Sequence, residues 1–231
     1  MSAALFLSCE HGGNDVPEPY RAWMKGAEKV LASHRGYDIG AMDLFHRLEP
    51  LAEAAVSNKL TRLLIEFNRT EGSPHWFSAF SRELPPHLKE PLIDAYMHYR
   101  LTFRDEMRKA LDEGRQVLHL SVHTFTPELD GEIRAMDIGL LYDPSRPQEK
   151  SFCEAWRDAI RLRAPGLRVR MNQPYKGNSD GYTRALRQHF APSEYSGIEL
   201  EVNQSFAKKN VMDADVCTVL HASLESVLRG A

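Results

Sequence analysis

Six short runs along the chain are apolar enough, and brief enough, to read as β-strands. They are residues 4–9 (ALFLSC), 62–67 (RLLIEF), 116–122 (QVLHLSV), 137–142 (DIGLLY), 167–171 (LRVRM) and 197–202 (GIELEV). Several are continuously apolar rather than alternating, the pattern of a strand covered on both faces. Between them lie stretches with helical periodicity. Residues 38–56 carry apolar side chains at Ile39, Met42, Leu44, Phe45, Leu48, Leu51 and Val56. Residues 89–112 form a long amphipathic stretch whose first turn suits Pro91, and residues 147–163 and 205–229 also read as helices. Strands alternating with helices predict a three-layer α/β/α architecture over residues 1–231, taken as one domain, with a mixed, largely parallel central sheet. In such sheets ligands bind at the carboxyl ends of the strands. His11, Asn68, His123, Asn172 and Asn203 all stand at or just after the ends of predicted strands, so polar side chains converge on one edge.

Composition narrows the function classes. With 231 residues and a net charge of −3 the chain offers no basic field for nucleic acid or an anionic membrane surface. No apolar run approaches the roughly 20 residues that span a bilayer, and the N-terminal MSAALFLSCEHGG lacks the basic start of a signal peptide. Cys9, Cys153 and Cys217 are an odd count at wide spacing, with neither a CxxC pair nor a disulfide framework. These features predict a cytoplasmic protein acting on a small molecule.

The chemistry concentrates in a few segments. Ser8-Cys9-Glu10-His11-Gly12-Gly13-Asn14 ends a strand on an imidazole, and the two glycines allow close approach of a ligand. His123 sits in the run VLHLSVHTFTP (117–127), where a second apolar strand-like stretch ends on an imidazole. His119, four residues earlier on the same face, reads as packing or as support for its neighbour. Neutral imidazole is the commonest zinc ligand, and a catalytic zinc takes about three protein ligands and one open position. Candidates for the third are Asp38, Asn14 and Asp15; Glu10 faces the other way on the strand and is a poorer one. Asp38, between Gly36 and Gly40, is equally placed to cap the helix that follows it. Arg69, after Asn68, is suited to bidentate capture of a carboxylate, or to an ion pair with Glu71. Arg134 is a second candidate for that grip, or a solvated loop arginine. Glu199 and Glu201 share one face of an apolar strand, where carboxylates are costly unless paired or functional. Glu201, nearer the strand end, is the preferred general base. Tyr175, in the loop NQPYKG, or Tyr182 is a candidate to cover a substrate or to donate to an oxyanion, with packing as the competing role.

Taken in order, CEHGGNDVP (9–17), YDIGAMDLF (37–45), TRLLIEFNR (61–69), VHTFTP (122–127), DIGLLYD (137–143), NQPYKG (172–177) and IELEVNQ (198–204) resemble the N-formylglutamate amidohydrolase family, from Ser8 to about Phe206. The family is similar in fold to zinc carboxypeptidases and aspartoacylases. The resemblance implies a zinc-exopeptidase-like fold and a zinc ion held by His11 and His123. It also implies that Asn68 and Arg69 hold a substrate carboxylate and that Glu201 is the base. The carboxypeptidase pattern has Glu three residues after the first histidine, where this chain has Asn14. Asn is a poor zinc ligand, which leaves either Asp38 in the third position or a site with fewer protein ligands. The reading that results is a metal-dependent amidohydrolase of small N-acyl amino acids such as N-formylglutamate, with zinc or another divalent ion as cofactor and with Arg134 and Tyr175 as further substrate contacts. Two alternatives stand beside it. One is an amidase using Cys9 as nucleophile and His123 as base; the other is a ligand-binding member of the fold without catalysis.

Overall fold

The apolar runs that need burial on both faces become the middle of the sheet. A computed structural model describes residues 3–230. The chain forms β1 (Ala4–Cys9), α1 (Glu28–Leu31), α2 (Ala41–Leu48), β2 (Ala54–Ser57), α3 (Pro86–Asp112) and β3 (Val117–Phe125). It continues through β4 (Glu128–Leu129), β5 (Glu132–Ile133), β6 (Ile138–Leu141), α4 (Pro147–Arg163) and β7 (Val169–Met171). The last elements are α5 (Tyr182–Arg187), β8 (Tyr195–Asn203), β9 (Ala207–Lys208), β10 (Val211–Met212) and α6 (Ala214–Gly230). Six strands make one sheet in the order β2-β1-β3-β8-β6-β7, and the pairs β4-β5 and β9-β10 are separate hairpins. All neighbours in the large sheet run parallel except β8 and β6, so the sheet is mixed and largely parallel. Every residue of β1 and β3 is buried. One face packs on α2, α4 and α6, the other on α3 and α5, which gives the three layers. The helices follow their apolar stripes: α4 buries Cys153, Trp156 and Ile160, and α6 buries Val216, Cys217, Leu220 and Leu224.

Four expectations need correction. Residues 62–67 are not a strand but a series of turns. Their apolar side chains are buried as expected, Leu64 and Ile65 fully, but the backbone is tied locally: Thr61 Oγ1 accepts from Leu63 N, and Leu64 N donates to Thr61 O. Burial produced the apolar pattern, and periodicity in a run this short does not say which backbone carries it. The strand at this edge is instead β2, which begins at the end of the stretch read as a helix over 38–56. That helix spans only Ala41–Leu48, because Pro50 falls in the 3-10 turn Glu49–Leu51 and cannot continue an α-helix. Pro91 does not sit in the first turn of α3, which begins at Pro86, but within the helix. The amide it lacks would have bonded the carbonyl of exposed His87. Lastly, α6 starts at Ala214 rather than 205. Residues 207–212 form the β9-β10 hairpin, turning through left-handed Lys209 and Asn210, and Asp213 Oδ1 then accepts from Asp215 N and Val216 N. The helices α1 and α5 were not anticipated.

His119 confirms its packing role. It is fully buried on β3, between Ser8 Oγ and Tyr195 OH at 2.7 Å each, and burial drives its pKa down to about 3.

A buried ion pair joins α4, α5 and β8. Arg187 Nε and Nη2 each lie 2.9 Å from a Glu149 oxygen, and the same guanidinium donates to the carbonyls of Gly177 and Gly197, both at 2.6 Å. Removing one partner strands the other charge in the interior. Arg187→Met is therefore expected to destabilise the protein by about 3–5 kcal/mol, and the double variant Glu149→Gln, Arg187→Met to recover part of that loss. Urea unfolding of the three proteins measures both.

Candidate metal centre and active site

The carboxyl edge of the sheet gathers side chains from segments far apart in sequence. His11 stands two residues beyond the end of β1. On β3 and β8 the register places His123 beside Glu201, and on β8 and β6 it places Glu201 beside Gly139. The loop after α1 supplies Asp38, whose amide donates to His11 O at 2.9 Å. The Asp38 side chain does not cap α2, where Gly40 holds the cap position without a side-chain bond. It turns to the two histidines instead.

Asp38 Oδ2 lies 2.9 Å from His123 Nδ1 and 3.4 Å from His11 Nδ1. One nitrogen of each histidine and one oxygen of Asp38 all lie within 4.8 Å of one another, and all three residues are buried. Two imidazoles and one carboxylate are the donor set of a three-ligand catalytic zinc site. The remaining ring nitrogens face carboxylates. His11 Nε2 hydrogen-bonds Glu66 Oε1; His123 Nε2 lies 3.1 Å from Glu10 Oε2 and 2.8 Å from Ser121 Oγ. Such outer partners fix the tautomer and orientation of metal-binding histidines. Arg62 ties the group together, donating through Nε and Nη2 to Glu66 Oε2 at 2.8 and 2.6 Å and through Nη1 to Asp38 Oδ1 at 3.3 Å. Tyr99 OH and Ser121 Oγ donate to Glu10 at 2.9 and 2.5 Å.

Electrostatics favour a cation here. Burial raises Asp38, Glu10 and Glu66, but each is held below the usual carboxylate range, Asp38 and Glu10 by the neighbouring histidines and Glu66 chiefly by Arg62 with His11. Burial pulls His123 down, yet the bonds to Asp38 and Glu10 win and raise it well above an ordinary histidine. A site that holds a proton this firmly between carboxylates offers the same field to a metal ion. Glu201 is different. Its Oε2 is buried without a hydrogen-bond partner. Burial, then the charges of Asp38 and Glu199, push its carboxyl far up, against the pull of His123. Glu199 is engaged, its Oε1 accepting from Thr183 Oγ1 at 2.6 Å. The two glutamates are thereby distinguished, and Glu201 is the one with a fully buried oxygen left idle.

A cavity of about 460 Å³ opens over the group. Of the candidate residues, His11, Asp38, Asn68, Arg69, His123, Tyr175, Glu199 and Glu201 line it. Asn68 accepts from Tyr182 N at 2.7 Å and lies 3.3 Å from His123 Nε2. Arg69 Nη1 donates to the carbonyls of Asn68 and Asp180, at 3.1 and 2.8 Å. No ion pair joins it to Glu71 among the described residues. Asn14 is turned away, donating to Leu31 O at 2.9 Å, and Asp15 is exposed. Arg134 does not line the cavity; it donates to Tyr175 OH at 2.9 Å and stacks on that ring at 5.0 Å. Tyr182 is buried beneath the site, with its hydroxyl on Arg100 O, rather than over a substrate. Cys9 is buried, lies outside the cavity lining, and has its thiol pushed well up by burial, which disfavours a thiolate nucleophile.

The loop that carries Tyr175 is laid directly on the sheet. A side chain at Gly139 would meet Gln173 O at 2.0 Å, and one at Gly177 would meet Tyr142 N at 2.2 Å. Asn172 Oδ1 accepts from Tyr142 N and Gly177 N, at 3.0 and 3.1 Å.

Sequence reasoning passed over Glu66 and Arg62. Glu66 was the one acid within the apolar run 62–67, the same signal that singled out Glu199 and Glu201.

A model of the N-formylglutamate amidohydrolase family matches residues 3–207. No curated protein matches the chain. Among solved structures, a gene product of Agrobacterium tumefaciens is 26% identical, with a TM-score of 0.78 over 99% of this chain and 91% of that one. The N-formylglutamate amidohydrolase of Ralstonia eutropha JMP134 is 14% identical, with a TM-score of 0.68 over 100% of this chain and 96% of that one. Both share the fold. No helix among the described residues is long and apolar enough to cross a membrane.

The raised Glu201 has a consequence for stability. A carboxyl whose folded pKa lies above its unfolded value of about 4.3 costs the native state as pH rises through that interval. In metal-free protein, Glu201→Gln should match wild type near about pH 4 and exceed it near about pH 8, by on the order of 1 kcal/mol or more. Denaturant unfolding at the two pH values checks the sign; a constant difference contradicts it.

Proposed function

This chain belongs to the N-formylglutamate amidohydrolase family, and from that we propose that it is a metal-dependent hydrolase cleaving the amide bond of a small N-acyl amino acid such as N-formylglutamate. One observation carries the reading: three buried donor atoms lie within 4.8 Å of one another, beside a buried carboxylate oxygen that has no partner. His11, His123 and Asp38 would hold the ion, and zinc suits two imidazoles and a carboxylate. When bound, such an ion supplies Lewis-acid activation of a carbonyl oxygen and of water.

The protein's own groups do the rest. Arg69, with Asn68 beside it, binds the substrate carboxylate and so fixes the amide against the donor group. Its anchorage on two backbone carbonyls keeps the guanidinium in one orientation before substrate arrives. Glu201 Oε2 takes a proton from the attacking water and delivers it to the departing amide nitrogen. The C–N bond breaks, leaving a carboxylic acid and a free amine. A raised carboxyl pKa suits this exchange, because base and acid are most effective near the working pH. Glu66 and Glu10 hold the imidazoles of His11 and His123, and Tyr175 forms part of the wall on the solvent side. The open cavity of about 460 Å³ accommodates a small acylated amino acid.

Metal analysis, followed by a screen of N-formyl and N-acetyl amino acids, tests the reading. Purified protein should hold one divalent ion, lose activity on chelation and regain it with zinc. Glu201→Gln should keep the metal but lose activity by about 10²-fold or more, whereas Cys9→Ala should stay active. Full activity in metal-free protein or in Glu201→Gln would overturn the assignment. Glu66→Gln should weaken metal affinity by about 10–100-fold, read by competition with a chromophoric chelator.

A further inference from the structure

A second polar site lies on the far side of the Asn68-Arg69 loop. Arg100, Arg104 and Arg108 are spaced four residues apart on α3, so they share one face of the helix. No acidic residue stands three or four positions from Arg100 or Arg104, and none of the three arginines makes a salt bridge among the described residues. Like charges four apart on a helix repel. The next element adds to the same field, since His189, just after α5, joins Arg100 and Arg104 in lining a pocket of about 140 Å³. The single carboxylate in that lining, Glu71, is exposed and unpaired among the described residues.

Arg100 is held in place ahead of any ligand. Its guanidinium is stacked between Tyr96 and Tyr182, 4.8 and 4.3 Å from the ring centroids, and its Nη1 donates to Phe67 O and Arg69 O at 3.2 and 3.0 Å. A planar cation fixed by stacking loses little freedom on binding an oxyanion. Thr70 adds a hydroxyl to the wall, although that group is already bonded to Asp180. The volume suits one compact tetrahedral group rather than a polymer.

We propose that the pocket between α3 and α5 binds a small oxyanion of the phosphate class. The anion offsets the repulsion along α3 and accepts from Arg104, with Arg100 and His189 completing its surround. This site is independent of the reaction proposed above and uses none of its residues. It meets that site at the backbone carbonyl of Arg69, which Arg100 holds from behind, and at Tyr182, whose amide donates to Asn68.

Inorganic phosphate titrated into the metal-replete protein by calorimetry, at constant ionic strength set with chloride, tests the proposal. Wild type is expected to show saturable binding, and the His189 ring proton to shift along the same curve in NMR spectra, as the field of the arginines on it is neutralised. Arg104→Gln should weaken binding by roughly tenfold or more. His189→Gln, at an exposed position, is the second variant should the first not fold, and it should weaken binding as well. Arg69→Met should bind phosphate as wild type does. Phosphate that binds equally well to Arg104→Gln, or that loses its site in Arg69→Met, occupies the substrate cavity and overturns the proposal. So does a titration with no saturable binding.

Discussion

A carboxylate taken out of water must be compensated at close range, or it will not stay ionised. Glu10, Asp38, Glu66 and Glu201 are all buried around two imidazoles at one edge of the sheet, and the local architecture follows from that requirement. Glu66 meets it through Arg62, Glu10 through Tyr99 and Ser121, and Asp38 through both histidines. Those partners come from the turns over 61–70, from α3, from β3 and from the segment after β1, so charge as well as apolar burial ties α3 and the turns over 61–70 to the sheet. Glu201 is the exception: its buried Oε2 has no partner, and it is the carboxyl to which the proposed reaction assigns the proton exchange.

The uncompensated group also explains the division of labour between Glu199 and Glu201. Both lie on the same face of β8, two residues apart, and the sequence offers no means of ranking them beyond position. The decisive difference is Thr183, which donates to Glu199 from α5, a short helix that the apolar pattern did not reveal. With that bond in place one oxygen of Glu199 is occupied, and of the two side chains only its neighbour keeps a fully buried oxygen without a partner.

Much of this was legible in the chain. The central strands were visible because burial on both faces leaves uninterrupted apolar runs, and His11 and His123 stood out because each ends such a run. Asp38 was visible as a candidate, but its competing role as a helix cap was settled only by the path of the loop, which makes Gly40 the cap. Glu66 and Arg62 were hidden by the mistaken strand over 62–67. On a strand, Arg62 and Glu66 would share a face of a buried sheet with no evident purpose; on a run of turns they fold back toward Asp38 and His11. Tyr182 and Arg134 were read as substrate contacts from their loops alone, and loops carry no periodicity that fixes where a side chain points. Arg187 shows the same limit, because a pin joining α4, α5 and β8 has no local signature.

Gly139 and Gly177 give the loop between them a mounting with almost no tolerance, since an added carbon at either collides with backbone. The stretch Gln173–Lys176 is thus a socket of set length pressed onto β6, with Tyr175 and Lys176 reaching into the cavity. Diversification at this wall would proceed by exchanging those two side chains while the chain path stays put, as teeth are changed on a fixed comb. Lengthening the segment would lift it off β6 and disturb Glu201, whose Cβ lies 3.3 Å from where a Gly139 side chain would begin. Under the proposed reaction, the side chains of this wall can be exchanged without moving Glu201, whereas an insertion would disturb both.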